Sequence, residues 1–322
     1  MDKQVSTTKI ALALATVYVI WGSTYLAIRF AIETLPPFGM AGARFLISGA
    51  MLYGWSRWRG APRPSRVNWT SAALIGGLLL LGGNGGVVWA EQRVDSGLAA
   101  LLVSTVPIWM VLFEWLRRGG TRPTVGVVAG MALGFAGLIL LVRPGGGGGG
   151  AAGIDPVGAA VLLLACVSWA WGSLRSRYVQ LPESPLMATG LEMLAGGSML
   201  LVLGLLTGEA SRFDPAVIST RSMLAMGYLV LFGSLAGFTA YVWLLRVASP
   251  ALVSTYAYVN PVVAVFLGWA LAGEPLTGGM LIAAAVILTG VALITIFRNR
   301  PAVPQPARLE EETAGGTCPE TA

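Results

Sequence analysis

Apolar residues in this chain come in long, uninterrupted runs. A helix rising 1.5 Å per residue needs roughly 20 of them to cross a lipid core of about 30 Å. Runs of that kind stand at 9–32, 37–56, 69–90, 96–117, 124–142, 156–177, 185–206, 221–244, 250–272 and 277–297. The breaks between them carry turn residues and helix breakers: Pro36-Pro37, Pro62 and Pro64, Asp95-Ser96, Gly119-Gly120, Pro182 to Pro185, Ser249-Pro250, and Gly273 to Pro275. The pattern predicts an all-α integral membrane protein with ten transmembrane helices. The cluster "GGNGG" at 82–86 falls inside the third run. Neighbouring helices satisfy the backbone of such a segment in lipid, so the helix is expected to continue through it. The first run passes Ala31 without a small-residue cleavage site and reads as a retained span rather than a signal peptide.

Composition agrees with this reading. Of 322 residues, 55% are hydrophobic and 11% charged, well under the ~25% of a typical soluble domain. The net charge of +6 does not point to nucleic acid, because the basic residues cluster in the short breaks between apolar runs. Counted by span end, fifteen lie on the side that holds both termini and five on the other, with Arg44 inside a span. The excess predicts cytoplasmic termini in a multi-pass plasma membrane protein, a bacterial inner membrane being the expected setting. The sequence contains no histidine, which removes imidazole metal sites, Ser-His chemistry and histidine relays. Cys166 and Cys318 are far apart in unlike surroundings and imply no disulfide. No GxxxxGK[ST] loop occurs, so transport would be secondary, driven by protons or by the substrate's own gradient. No catalytic residue, metal or cofactor is expected.

The chain repeats itself. "IWGS" at 20–23 returns as "AWGS" at 170–173, and "GARFLISGAML" at 42–52 returns ungapped as "GLEMLAGGSML" at 190–200. At another ungapped offset Trp89, Leu98, Pro107 and Trp115 match Trp243, Leu252, Pro261 and Trp269. The division expected is a first repeat at 1–143, a glycine-rich external linker at 144–155 around "PGGGGGG", a second repeat at 156–297, and a disordered cytoplasmic tail at 298–322. Five is odd, so the second repeat must cross the bilayer upside down relative to the first. Inverted repeats of this kind place a substrate site near the midplane in many transporters.

The motifs "VIWGSTYLAIRFAIETLPPFGMAGARFLISG" (19–49), "SGLAALLVSTVPIW" (96–109), the second "WGS" and "YVNPVVAVFLGWALAGEPLT" (258–277) resemble the EamA family of the drug/metabolite transporter superfamily. The resemblance covers nearly the whole chain and implies a ten-helix, exporter-type fold with a central cavity between its halves. It implies export of a small-molecule substrate: amino acids or their derivatives, other small metabolites, or drug-like compounds. A facilitative channel, or an exchanger without proton coupling, is the alternative.

Arg44 sits about 10 Å into its helix, and Glu192 occupies the repeat-related position. Intramembrane charges usually face the bundle interior and mark a pathway or a partner. The two could form a structural ion pair, receive a substrate's carboxylate and amine, or carry a coupling proton on Glu192. Tyr18, Trp21, Gly22, Tyr25 and Arg29 share one face of the first helix, and Trp21 is the repeat mate of Trp171. Such stripes are more often packing, but an aromatic wall also binds apolar groups or cations. Asn84, and Tyr256 with Asn260 four residues apart, add polar groups that serve either as interhelical glue or as substrate contacts. The substrate-binding candidates are therefore Trp21, Tyr25, Arg44, Asn84, Trp171, Glu192, Tyr256 and Asn260. Pro107 and Pro261 are repeat mates and candidate hinges. Gly126, Gly130 and Gly134 predict close packing against the tenth helix or a second protomer, as in a homodimer. Glu114 reads as an interfacial partner of Arg117 and Arg118, and Glu274 as a helix-end residue.

Overall fold

A computed structural model describes residues 6–117, 120, 122–142, 154–248 and 256–298. The glycine run 144–150 and the tail 299–322 lie outside the described residues. All regular structure among the described residues is helical. We number the helices α1 (Thr7–Ala31), α2 (Pro37–Trp58), α3 (Arg66–Ala90), α4 (Ser96–Leu116), α5 (Val125–Val142), α6 (Pro156–Arg175), α7 (Pro185–Leu206), α8 (220–247), α9 (Tyr256–Ala272) and α10 (Gly278–Arg298). Eight helical runs among the described residues are long and apolar enough to cross a membrane, and α9, at 17 residues, is apolar but shorter. The remaining helix, α2, runs for 22 residues and falls outside the apolar set because Arg44 sits in its interior.

Helix ends are set by local chemistry. Pro37, Pro156 and Pro185 occupy first-turn positions, where a missing N–H costs nothing. Ser65 forms a capping box with Asn68 at the start of α3, and Asp155, Ser184 and Ser219 accept first-turn N–H bonds at α6, α7 and α8. No residue of their own caps α2 and α4 by side chain. Distant carboxylates take that place. Glu209 accepts from Phe38 N (3.0 Å) and Gly39 N (2.7 Å), while Glu274 accepts from Ser96 N (2.8 Å), Ser96 Oγ (2.7 Å) and Gly97 N (3.0 Å).

Helices α2 and α7 pack along their lengths, as do α5 and α10. Both pairs run antiparallel. Gly42 meets Gly197 and Gly49 meets Gly190 at one interface; Gly130 meets Gly290 and Gly137 meets Ile287 at the other. A Cβ on Gly49 would lie 2.9 Å from the Gly190 carbonyl oxygen, and one on Gly130 would lie 2.7 Å from that of Gly290, so only glycine permits this approach. The glycine motif of α5 thus packs on α10, one of the two partners expected for it. Helix α1 packs on α8 and α9, α6 on α3 and α4, α3 on α7, α2 on α8, and α4 on α9. Exchanging each helix for its mate five places on leaves these most extensive pairs unchanged, whereas the smaller α1–α4, α4–α10 and α9–α10 contacts have no counterpart of similar size.

Two π-helical segments interrupt the bundle at matching places, Gly77–Asn84 in α3 and Leu229–Ala236 in α8. The "GGNGG" segment is therefore helical, as expected, but its winding is π up to Asn84. Two large buried clusters fill the interior. Phe45, Leu80, Met193, Leu200 and Leu229 join α2, α3, α7 and α8, while Leu102, Leu141, Leu162 and Ile287 join α4, α5, α6 and α10.

Candidate functional site

The sequence-predicted aromatic stripe of α1 meets α8 and α9. The Trp21 ring lies 5.3 Å from Phe238, 5.0 Å from Tyr241 and 5.3 Å from Tyr256, and Tyr241 and Tyr256 meet edge-on at 5.8 Å. Its indole Nε1 donates to the Gly233 carbonyl at 3.2 Å, inside the π segment of α8. Beside it the Ser23 and Tyr228 hydroxyls share a 2.6 Å hydrogen bond. Asn260 is buried, and in the amide orientation that satisfies its neighbours its nitrogen donates at 3.2 Å to the carbonyls of Tyr256 and Tyr18. It ties α9 to α1 in this arrangement. Tyr25 is half-buried against the α4–α6–α10 cluster.

On the other flank of α8, Arg44 is 4% exposed. Its Nε donates to Ser234 Oγ at 2.9 Å, and its Nη1 has no hydrogen-bond partner among the described residues. Ser234 is wholly buried within the π segment. A guanidinium and an indole thus grip consecutive residues, 234 and 233, of one irregular turn. Asn84 ends the matching segment of α3, and its Oδ1 is buried without a partner among the described residues.

Glu91 follows one residue beyond α3. It is 0% exposed, and neither carboxyl oxygen has a hydrogen-bond partner among the described residues. Arg29 Nη1 donates to its backbone carbonyl at 3.3 Å and stands 3.9 Å from Asp95 Oδ1. Burial pushes the Glu91 carboxyl well above the ordinary carboxylate range; the Glu274 charge adds to the push, and Arg29 and Arg44 oppose it. Asp95, in the turn before α4, is raised for the same first reason, again with Glu274 adding and Arg29 opposing.

The structure does not gather every predicted residue. Among the described residues no ion pair joins Arg44 to Glu192; the acid whose field reaches Arg44 is Glu91. The α2–α7 contacts put Arg44 and Glu192 about three residues apart along the shared axis, or ~5 Å. They diverge around it: Arg44 turns to α8, whereas the Glu192 backbone lies against Gly76 of α3 and its side chain is half-buried. Trp171 is 49% exposed and packs edge-on against Phe113 at 5.4 Å, apart from the Trp21 cluster. The two prolines also differ. α4 is interrupted at 104–105 just before Pro107, while α9 runs unbroken through Pro261. Glu114 does pair with Arg117, at 2.7 Å. An open, mostly apolar groove of about 570 Å³ lies along α8 between Leu231 and Trp243 and includes none of the predicted residues.

The sequence reading missed Glu91, Ser234, Glu209, Phe238 and Tyr241. Glu91 had a visible signal, a carboxylate directly after an apolar run. Ser234 and Glu209 had none, since only the folded chain shows what they bond.

The chain is 44% identical over 296 residues to the inner membrane transporter YedA of Escherichia coli K12, itself uncharacterised; the match covers 90% of this chain and 93% of that one. It is 27% identical to the chloroplastic WAT1-related protein At3g02690 of Arabidopsis thaliana, covering 87% and 68%. A crystal structure of a protein 24% identical shares the fold, with a TM-score of 0.61 over 91% of this chain and 99% of the other. The sequence profile of the EamA-like transporter family matches twice, at 8–143 and at 156–296, once in each of the halves that the helix pairing relates. On that match this protein, a membrane transporter by kinship, belongs to the EamA-like transporter family.

Proposed function

We propose that the protein is a secondary transporter that exports small metabolites, either amino acids and their derivatives or drug-like organic compounds. It would do so by alternating access between two inverted five-helix halves of a ten-span bundle. The halves are 1–143 and 156–297, joined by an external linker at 144–155, with both termini and the tail 298–322 in the cytoplasm of a bacterial cell. The observation that carries this reading is the helix pairing. Its most extensive pairs map onto one another when the halves are exchanged, and the mates α2 and α7, and α5 and α10, run antiparallel. A bundle so built has two equivalent ways to open, one toward each face. Polar groups buried in α2 and α3 without partners among the described residues, Arg44 Nη1 and Asn84 Oδ1 among them, support a solute path there. Trp21, Tyr25, Tyr256 and Asn260 would line its α1–α9 wall and Glu192 the related wall of the second half, with the outward-turned Trp171 reaching solute only in another state of the cycle, and Pro107 and Pro261 would absorb the bending.

Untargeted metabolomics of medium from overexpressing and deletion cells tests the assignment. Accumulation of one compound class outside overexpressing cells, with saturable flux in proteoliposomes, is the expected result. Flux that rises without saturation would replace the carrier with a pore. Wild-type export by both Arg44→Ala and Glu192→Gln would remove those two residues from the path.

A further inference from the structure

The carboxyl of Glu91 is enclosed by charge that is spent elsewhere. The fields of Arg29 on α1, Arg44 on α2 and Glu274 after α9 reach it, and its own field reaches Tyr25 on α1; Asp95, in the turn before α4, faces Arg29. Cys166 of α6 acts on Tyr25 through its field, and its thiol donates to the Leu102 carbonyl at 3.5 Å. Glu274 is committed to the N-terminus of α4, and the side-chain ion pair of Arg29 is with Asp95. Arg44 gives its Nε to a neutral hydroxyl and keeps Nη1 unpartnered among the described residues. An ionised Glu91 left in this setting would be a buried charge with no hydrogen bond, which folded proteins avoid. The neutral acid does not carry that cost.

We propose that Glu91 is the proton-binding site of the transport cycle: it holds its proton in this conformation, and on losing it draws Arg44 away from Ser234, releasing the π segment of α8. The proposal rests on the transport reading for its role in a cycle. In the step itself the carboxyl O–H bond breaks, the proton passes to water, and the bonding pair stays on the carboxylate. A guanidinium–carboxylate bond then replaces a guanidinium–hydroxyl bond. Both bonds have a charged donor, but the carboxylate adds an opposite full charge and can accept from two guanidinium N–H groups at once, and Arg44 Nη1 gains a partner it lacks among the described residues, so the exchange follows from ionisation. Its consequence falls on α8, where the turn would keep the Trp21 bond to Gly233 and lose the one from Arg44. The proton state of the α3–α4 turn is thereby linked to a helix of the other half.

Infrared spectroscopy of the full chain in liposomes, titrated from neutral to alkaline pH, tests this without any substrate. The wild-type spectrum should contain a protonated-carboxyl C=O band that disappears as pH rises, and Glu91→Gln should lack that component. Gln copies the neutral acid, so Glu91→Gln should also fold; its failure to fold would itself count against a neutral acid at this position. Arg44→Gln removes a stabilising cation and should move the midpoint up by about one pH unit, tenfold in proton affinity. Ser234→Ala removes the competitor for Arg44 and should move the midpoint down. An unchanged band in Glu91→Gln overturns the proton site, and an unmoved midpoint in Arg44→Gln or Ser234→Ala overturns the exchange. None of these outcomes bears on whether a solute is exported, and absence of an exported solute would leave them standing.

Discussion

The two halves of the molecule share a helix order and differ in what that order encloses. Where α1 of the first half meets α8 of the second, the contact runs through large side chains: Trp21 reaches Gly233 and packs among Phe238 and Tyr241. Where α6 of the second half meets α3 of the first, the corresponding contact runs through glycines. Gly82 faces Ser168, Gly83 faces Trp169, and Gly86 lies against Ala165. With the backbones this close, Trp169 takes the contact and its neighbour Trp171 turns outward, half-exposed. The π segments repeat this contrast. Trp21 donates to one through Gly233, and the smaller Ser168 donates to the other through the Leu78 carbonyl at 2.7 Å. Duplication has kept the frame, while the side chains that fill it have drifted apart. Repeat-related residues in this molecule therefore need not have related jobs.

The largest expected effect tests the second half's support of the first. Both carboxylates that cap α2 and α4 come from the second half, but they are not equally placed. Glu274 is 8% exposed and accepts three bonds; Glu209 is more open and accepts two. Glu274→Ala strands buried donors and should cost about 3 kcal/mol. Glu209→Ala, where water can replace the carboxylate, should cost about 1 kcal/mol. Equilibrium unfolding in mild detergent measures both. Equal losses would mean that burial does not separate the two caps.

Much of this frame was legible in the chain. Apolar run length gave the helices, because lipid forbids other backbone solutions for an open chain, and the returning tryptophans and prolines marked the duplication. The glycine motif of α5 was legible as close packing because nothing but glycine fits there. The partners of polar groups were not. Arg44 and Glu192 suggested a pair by their repeat positions, yet a helix face is set by neighbours: Arg44 found Ser234 instead. Glu274 read as an ordinary helix-end residue because its donors lie 178 positions away. Charges carry long-range information that no local spacing encodes.

A smaller effect separates the tryptophan mates. Trp21→Leu removes three aromatic contacts and the bond to Gly233. Aromatic pairs are worth about 0.5–1.5 kcal/mol each beyond area, so a loss of about 2 kcal/mol is expected. Trp171→Leu gives up one edge-on contact with Phe113 and should cost less than about 1 kcal/mol. Thermal unfolding of the purified variants reads the difference. If Trp171→Leu proved as damaging as Trp21→Leu, the exposed ring would have to be covered in the membrane by something the fold alone does not supply.

The proline mates should differ least in size and oppose each other in sign. Pro107 opens the second segment of α4, where a first-turn N–H has no helical partner, so the ring fits and restrains the unfolded chain. Pro107→Ala should destabilise by less than about 1 kcal/mol. Pro261 lies inside continuous α9, where its ring removes an i→i−4 bond that alanine would restore. Pro261→Ala should therefore leave stability unchanged or raise it by up to about 1 kcal/mol. The two readouts then separate fold from motion. A Pro261→Ala protein that is more stable and transports more slowly would mark Pro261 as a hinge whose weakness serves transport. One that is more stable and transports at the wild-type rate would reduce it to a fixed feature of α9, and the break before Pro107 would be left as the sole candidate for bending among the two.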